Sequence, residues 1–441
     1  MARTVKKKKE LTIEENLAEA LVPVEEQPYQ VPENWCWTKL SSCIISSKEK
    51  TADFSDSKIK YIGLEHMEKD SGIIGYGSAE GVKSLKNVFH KGQLLYGKLR
   101  PYLNKHDIAP FDGICSTDIL VFDKTECSLT SFINYYFNQS RFLEYVVGNS
   151  KGINLPRVSE SVIMEAMVPL PPLPEQQRIV DRIESLFAKL DEAKEKAQAV
   201  VDGFEDRKAA ILHKAFTGEL TKEWKKTNGL PDWKLEKLGS NLKPMETRKP
   251  TGEYFFYIDI DSIDNKHQIV KAPKKVLLKD APSRASRAVH CGDVLFSMVR
   301  PYLKNIALVD ESLQNCIAST GFYVCSPKST IDSNYLYHLL CSKDAIDYLM
   351  QFMKGDNSPS IRKDNLLDME IMLPSLPEQK QIETILNSIL EKEQQAKEAS
   401  EQVISQIDTM KKSILARAFR GELGTNDSAD ESAVELLKRV L

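Results

Sequence analysis

Apolar positions follow two different periods along this chain, and the pair of periods occurs twice. Over residues 35–170, and again over 233–373, short apolar runs are broken by Gly, Pro, Asn and Asp. Val-Leu-Phe-Ser-Met-Val at 294–299 and Gly-Phe-Tyr-Val-Cys at 321–325 predict strands. The stretches 132–147 and 335–353 each predict one short helix, with Tyr145 and Tyr348 in matching places. Each half therefore opens as a mixed α+β globule. Beyond each globule the period lengthens to heptads. Ile179, Ile183, Leu186, Leu190, Ala193, Ala197, Val200 and Phe204 recur at alternating spacings of four and three, and Ile211 and Ala215 resume the series after a polar gap. In the second half the series is Ile382, Leu386, Ile389, Ala396, Ser400, Val403, Ile407, Met410 and Ile414, interrupted by Glu393. Such a stripe predicts one long helix per half, packed along another helix. At about 1.5 Å per residue, some 40 residues give a rod about 60 Å long. Pro174-Glu175-Gln176 suits a first helical turn, and Gly218 and Gly421 are natural terminators.

The two halves also share residues in register, with a repeat of about 200 residues. Lys-Gly-Gln-Leu-Leu-Tyr-Gly-Lys-Leu-Arg-Pro-Tyr-Leu at 91–103 returns as Cys-Gly-Asp-Val-Leu-Phe-Ser-Met-Val-Arg-Pro-Tyr-Leu at 291–303. Ile114, Ser116 and Thr117 match Ile317, Ser319 and Thr320. Lys151-Gly152, Asn154 and Pro156 match Lys354-Gly355, Asn357 and Pro359. Leu-Pro-Pro-Leu-Pro-Glu-Gln at 170–176 becomes Leu-Pro-Ser-Leu-Pro-Glu-Gln at 373–379. Ala-Phe-Thr-Gly-Glu-Leu at 215–220 closes the first copy as Ala-Phe-Arg-Gly-Glu-Leu at 418–423 closes the second. Pro32 and Trp35 correspond to Pro231 and Trp233, and Tyr61-Ile62 to Tyr257-Ile258. The resulting division is an extension with a short helix (1–31), globule one (32–170), rod one (171–220), a linker (221–232), globule two (233–373), rod two (374–423) and a tail with a short helix (424–441). A rod with one apolar stripe needs a partner. The other rod, antiparallel and related by a pseudo-two-fold axis, is the expected one; the alternative is that each rod packs on its own globule or on another chain.

Composition narrows the function. Of the 441 residues, 41% are hydrophobic and 28% charged, which supports ordinary globular cores. Apolar runs stay short of the roughly 18 residues that span a bilayer, so no membrane role is expected. Eight cysteines, among them Cys36, Cys115, Cys291 and Cys341, form no Cys-x-x-Cys pair, as expected of reduced thiols in a cytoplasmic protein. Net charge is −3, and Lys and Arg barely exceed Asp and Glu in either globule. Any nucleic acid must therefore be met by local patches. His66, His90, His213 and His338 lack ligand spacing, so no metal is expected. Gly92, Gly97 and Lys98 imitate a phosphate-binding loop, but Leu99 stands where Ser or Thr would hold Mg²⁺. No catalytic motif is found.

Two variable globules, each closed by Leu-Pro-x-Leu-Pro-Glu-Gln, a heptad helix and Ala-Phe-x-Gly-Glu-Leu, resemble the DNA-specificity subunit of type I restriction-modification systems over essentially the whole chain. The resemblance implies two target recognition domains in tandem, each followed by a long spacer helix, the helices pairing as an antiparallel coiled coil. It implies a non-catalytic subunit in which each domain reads one half of a bipartite double-stranded DNA target. Two adenine-methylating modification subunits, which would hold S-adenosylmethionine, and restriction subunits with motor and nuclease activity would complete the assembly; no cofactor is expected in this chain. A coiled-coil scaffold that binds only proteins stays open at this point. Helix pairing is assigned to Ile179, Ile183, Leu186, Leu190, Val200, Phe204, Ile382, Leu386, Ile389, Val403, Ile407 and Met410.

Candidate DNA contacts follow from the repeat. Lys98, Arg100, Tyr102 and Lys105 sit at the exit of one predicted strand, and Arg300, Tyr302, Lys304 and Asn305 at its equivalent. Arginine suits bidentate pairing with guanine or phosphate, and tyrosine can donate to phosphate or stack. The alternative is that Arg-Pro-Tyr-Leu builds a turn, its arginine bonding carbonyls. Readers of different halves should diverge, which points to loops 46–60, 75–90, 243–253 and 281–290. Lys83, Lys86, Arg248, Lys249, Arg284 and Arg287 lie there, and Lys151 and Lys354, beside their glycines, are further candidates. The acid of Gly292-Asp293 is Gln93 in the first copy, which weakens any claim that it is essential. The Lys6–Lys9 run is read as a disordered tail.

Overall fold

The computed structural model describes residues 12–53, 58–69, 72–80 and 84–441. These residues divide into two compact units, Met1–Lys196 with Gln402–Leu441, and Ala197–Glu401. Lys83 and the Lys6–Lys9 run lie outside the described residues.

In the first unit the strand Leu94–Gly97 is buried along its whole length. Leu94 and Tyr96 face the helical core, while Leu95 faces a second core with Phe89, Ile119 and Val121. A strand covered on both faces needs an unbroken apolar run, which is what the sequence carries there. The strand lies second in a sheet ordered His106–Ile108, Leu94–Gly97, Ile119–Lys124, Ile44–Ser46. A five-stranded sheet, Lys50–Thr51, Lys86–Phe89, Gly113–Cys115, Lys60–Ile62, Gly77–Ser78, forms the outer layer. Cys36–Lys39 pairs antiparallel with Met167–Leu170 and closes the globule just before the rod.

The second unit repeats this plan. Val294–Ser297 is its buried centre strand, between Ile306–Leu308 and Phe322–Cys325. The outer sheet runs Lys274–Leu277, Tyr254–Ile258, Ile317–Ser319, Ala285–Ala288. Tyr257 pairs in parallel with Ile317 as Tyr61 does with Ile114, so the repeat extends to the register. Each stretch expected to form one helix forms two: Thr130–Tyr136 with Ser140–Gly148, and Ser333–Cys341 with Lys343–Met350. The cause is local. Gln139 and Ser342 adopt extended backbone, and the Ser342 hydroxyl accepts from the Ala345 N–H, starting the second helix afresh.

The rods differ from expectation in two ways. Rod two is one helix, Leu376–Ala418, whereas rod one breaks at Gly203 into Leu173–Asp202 and Phe204–Phe216. At the break the Arg207 guanidinium donates to the Val200 carbonyl at 2.9 Å, and a Cβ on Gly203 would lie 2.6 Å from Arg207 Nη1. The seam of rod two also slips. Val403 and Met410, assigned to helix pairing, are 43% and 45% exposed, while Ile407 and Leu415 are buried. A straight helix drifts by about 20° per heptad against a strict seven-residue repeat, so residues one position along take over.

Within each unit a globule meets two rod segments. In the first, Ile179 and Ile183 of rod one share the core of Phe132 and Phe142 with Leu415, Ala418 and Phe419 of rod two. Leu186 and Leu190 are half-buried, and Lys411 bridges to Asp191 at 2.6 Å while lying over the Phe187 ring. In the second, Ile382 and Leu386 join Leu212 and Ala215, with Ile389 and Val200 half-buried and Phe204 buried. Glu393, the break in the apolar stripe, accepts from Arg207 Nε at 2.7 Å. Burying each Ile, Leu or Phe contributes roughly 1.5–3 kcal/mol, so both segments belong to the globule's own core.

The shared motifs are the joints of this construction. Gln176 Oε1 accepts from the Leu129 N–H at 2.9 Å, and its amide donates to the carbonyls of Cys127 and Pro171. Gln379 does the same with Asp332, Thr330 and Pro374. Glu175 accepts from the Trp35 indole at 2.7 Å and from Asn426 at 2.8 Å, and burial pushes its carboxyl up. Glu378 accepts from Thr221 at 2.8 Å. A Cβ on Gly421, whose φ is +74°, would come within 2.5 Å of Pro32 Cγ, and Gly218 faces the Trp233 ring. In the first unit the tail completes the joint: Ala433 N–H donates to Asn34 at 2.9 Å, Arg178 pairs with Asp430, and Ala433, Leu436 and Leu437 enter the core. The tail therefore clasps its own unit.

Candidate nucleic-acid interface

The candidate contacts gather into two patches in each unit. The first patch is the turn after the centre strand. Arg100 and Asn104 bracket Pro101–Leu103 in left-handed backbone, with φ of +53° and +43°. Arg300 and Lys304 repeat this around Pro301–Leu303, at +48° and +51°. Non-glycine residues rarely take this conformation, and such strain concentrates at functional sites. Tyr102 and Tyr302 are exposed on the two turns. The arginines differ: Arg300 Nη2 donates to the Asn357 carbonyl at 2.7 Å, while the exposed Arg100 side chain has no bond among the described residues. The turn-building reading of this arginine thus holds for one copy. Lys98 lies 3.9 Å from Asp118, which also binds Arg157.

Two assigned residues serve the globule instead. Lys105 donates to the Leu64 carbonyl at 2.8 Å, and Asn305 is buried. The loops that carry Lys151 and Lys354 are fastened to the turns. Arg100 N–H donates to the Pro156 carbonyl at 2.7 Å, and Arg300 N–H to that of Pro359 at 2.8 Å. Both lysines are exposed, so turn and lysine form one patch in each unit. The signal for this in the sequence is the constant spacing of Gly, Asn and Pro around each lysine.

The second patch lies on the outer sheet. In the second unit Arg248 N–H donates to the Ser286 carbonyl at 3.0 Å, Thr247 bridges to Arg287, and the Arg284 carbonyl accepts from Thr320. Three arginines thereby share one sheet edge, next to the exposed Lys249. In the first unit the equivalent strand, Lys86–Phe89, is covered at its side by Lys50–Thr51 and holds Lys86, whose ammonium bonds Ser84 and lies 5.9 Å from the Tyr61 ring.

Other sequence features resolve structurally. Gln93 Oε1 and Asp293 Oδ2 both accept the backbone N–H three residues before them, at 2.7 and 2.8 Å. Amide and acid are thus interchangeable turn locks, and burial pushes the Asp293 carboxyl up. His90 and His290 meet Glu49 and Glu246, each at 3.1 Å, a repeated pair whose members lie about 40 residues apart in sequence. The segment imitating a phosphate loop is a strand, with Gly97 inside it, and has no helix N-terminus to hold phosphates. Among the described residues no His, Cys, Asp and Glu cluster is arranged for a metal, and no helix is long and apolar enough to cross a membrane.

Comparison with known proteins follows the same duplication. The family described as type I restriction modification DNA specificity domain matches twice, over residues 43–201 and 246–406. The EcoDI type I restriction enzyme specificity subunit of Escherichia coli is 34% identical over 203 residues, which are 45% of this chain and 45% of that protein. The EcoBI specificity subunit of the same organism is 23% identical over 69% of this chain and 70% of its own length. Among solved structures, the HsdS subunit from Thermoanaerobacter tengcongensis has a TM-score of 0.67 at 20% identity, covering 90% of this chain and 100% of that one. A structure of a type I R-M system aligns with a TM-score of 0.64. Because the family match occupies most of the sequence and falls on both globules and both rods, the chain belongs to the type I restriction modification DNA specificity family.

Proposed function

We propose that this chain is the DNA-reading subunit of a type I restriction-modification complex and carries no chemistry of its own. Each globule reads one half of a split duplex target through its turn and outer-sheet patches. The rods pair as an antiparallel coiled coil about a pseudo-two-fold axis, which holds two similar readers at a set spacing. Halves about one helical turn apart, roughly 34–36 Å, suit such a frame. Two adenine methyltransferase subunits with bound S-adenosylmethionine dock on it, restriction subunits join them, and the assembly works in the cytoplasm. The carrying observation is the double occurrence of one globule, one strained Arg-Pro-Tyr-Leu turn and one set of rod joints.

Footprinting tests this reading. With its methyltransferase partner, the chain is expected to protect two short patches of duplex separated by an unprotected gap. A single continuous footprint, or none, would refute it in favour of a scaffold that binds only proteins.

A further inference from the structure

Each unit carries a finger whose frame is constant and whose tip is not. In the first unit, residues 151–157 form a loop closed by reciprocal bonds between Lys151 and Arg157, at 2.9 and 2.8 Å. In the second, Lys354 and Ser360 close the equivalent loop with two bonds of 3.0 Å. Both loops are zipped to the segment before the strained turn. Val158 N–H donates to Lys98 and Ile361 N–H to Met298, each at 3.0 Å, in addition to the bonds from Arg100 and Arg300. Each loop enters on a glycine in a conformation L side chains rarely adopt, Gly152 at φ +107° and Gly355 at +102°.

The tips hold different chemistry on this common frame. Ile153 is 100% exposed, and Leu155 beside it is also exposed. The matching position is Asp356, which is exposed and makes no hydrogen bond or ion pair among the described residues. A single exposed isoleucine is unremarked on any surface. Here it sits at the end of a loop whose backbone–backbone bonds are repeated in the other unit, the one difference being the Arg300 side chain on the Asn357 carbonyl, and the exposed Lys151 and Arg100 belong to the same patch. A loop kept for packing would bury its tip or leave it polar in both copies. Constant anchorage with a variable, unpartnered end suits a reader that must distinguish different bases in the two halves.

We propose that these fingers enter the major groove and that residues 153 and 356 are specificity-determining: Ile153 packs on the methyl group of a thymine, and Asp356 accepts from the amino group of a cytosine. Only the major groove offers both groups. The inference rests on the DNA-reading function proposed above and assigns one base preference to each half.

The test exchanges the tips. The chain is produced with its methyltransferase partner in a host without adenine methylation, and methylated motifs are read across the genome for wild type, Ile153→Asp and Asp356→Ile. Wild type should give a two-part motif. Ile153→Asp should lower methylation at sites with thymine at one position of one half by about tenfold relative to cytosine, within the range expected for one good base contact. Asp356→Ile should shift one position of the other half in the opposite sense. Unchanged base preferences in both variants would overturn the proposal, and so would a uniform loss of methylation with preferences intact, which is the mark of a phosphate contact. A wild-type motif that is not divided in two would instead overturn the functional reading beneath it.

Discussion

The two units use the same anchors to hold differently furnished globules. In the first, the strained turn ends on Asn104, whose buried amide bonds the Phe137 carbonyl and shares a polar cluster with His106 and Asn138. In the second, Lys304 and Ile306 occupy these places and the cluster is gone. Both turns nevertheless keep left-handed backbone at the same two positions. By contrast, the glutamines at the rod entrances bind equivalent partners to within about a tenth of an ångström. The lesson is that joints and backbone frames are held fixed while linings vary.

The largest effect should fall on the first unit alone. Phe419 is fully buried, its ring 5.0 Å from Phe132, whereas its counterpart Phe216 is half-buried against Tyr335. Phe419→Ala should cost about 3–5 kcal/mol and Phe216→Ala less. Hydrogen exchange resolved by unit would show the first opening while the second stays protected; equal loss in both would contradict the asymmetry. Next, Gln176→Leu and Gln379→Leu should cost the same, about 1–3 kcal/mol for each buried backbone group left unpaired. Unequal denaturant midpoint shifts would show that the two joints are not equivalent. Smallest is the glycine pair. Both sit at positive φ, +74° at Gly421 and +81° at Gly218, but Gly421→Ala also meets Pro32 at 2.5 Å, while Gly218→Ala meets Trp233 only at 3.3 Å. Strain of about 1–3 kcal/mol is expected at Gly421 and less at Gly218, and calorimetry that reverses this order would refute the clash.

The layered globules and the heptad rods were legible because a doubly covered strand and a helix stripe each impose a period on apolar residues. The repeat set Gln176 and Gln379 in matching places, but the joint each makes depends on partners some 50 residues earlier in the chain and could not be read from them. What escaped depended on partners distant in sequence. Glu393 looked like a flaw in the stripe until Arg207 stood opposite it. Val403 and Met410 fit a heptad count that the straight helix does not keep. Of the candidate contacts, Arg100, Tyr102, Lys151 and their equivalents come together in patches. Lys105 and Asn305 do not, because nothing in a residue's type says whether it faces outward. The finger tips were passed over for the same reason: Ile153 reads as core material by composition, and only its complete exposure marks it.

The core of the first globule has a consequence for how the chain is made. Phe132, Phe137 and Phe142 are covered in part by Phe419, Leu436 and Leu437. A ribosome delivers the first globule early and those covering residues more than about 250 residues later. At translation speeds of about 5–20 residues per second, the nascent protein must carry an unsealed greasy surface for many seconds, while the second globule can close within its own stretch of sequence. Premature termination beyond residue 400 would therefore injure the part of the molecule synthesised first.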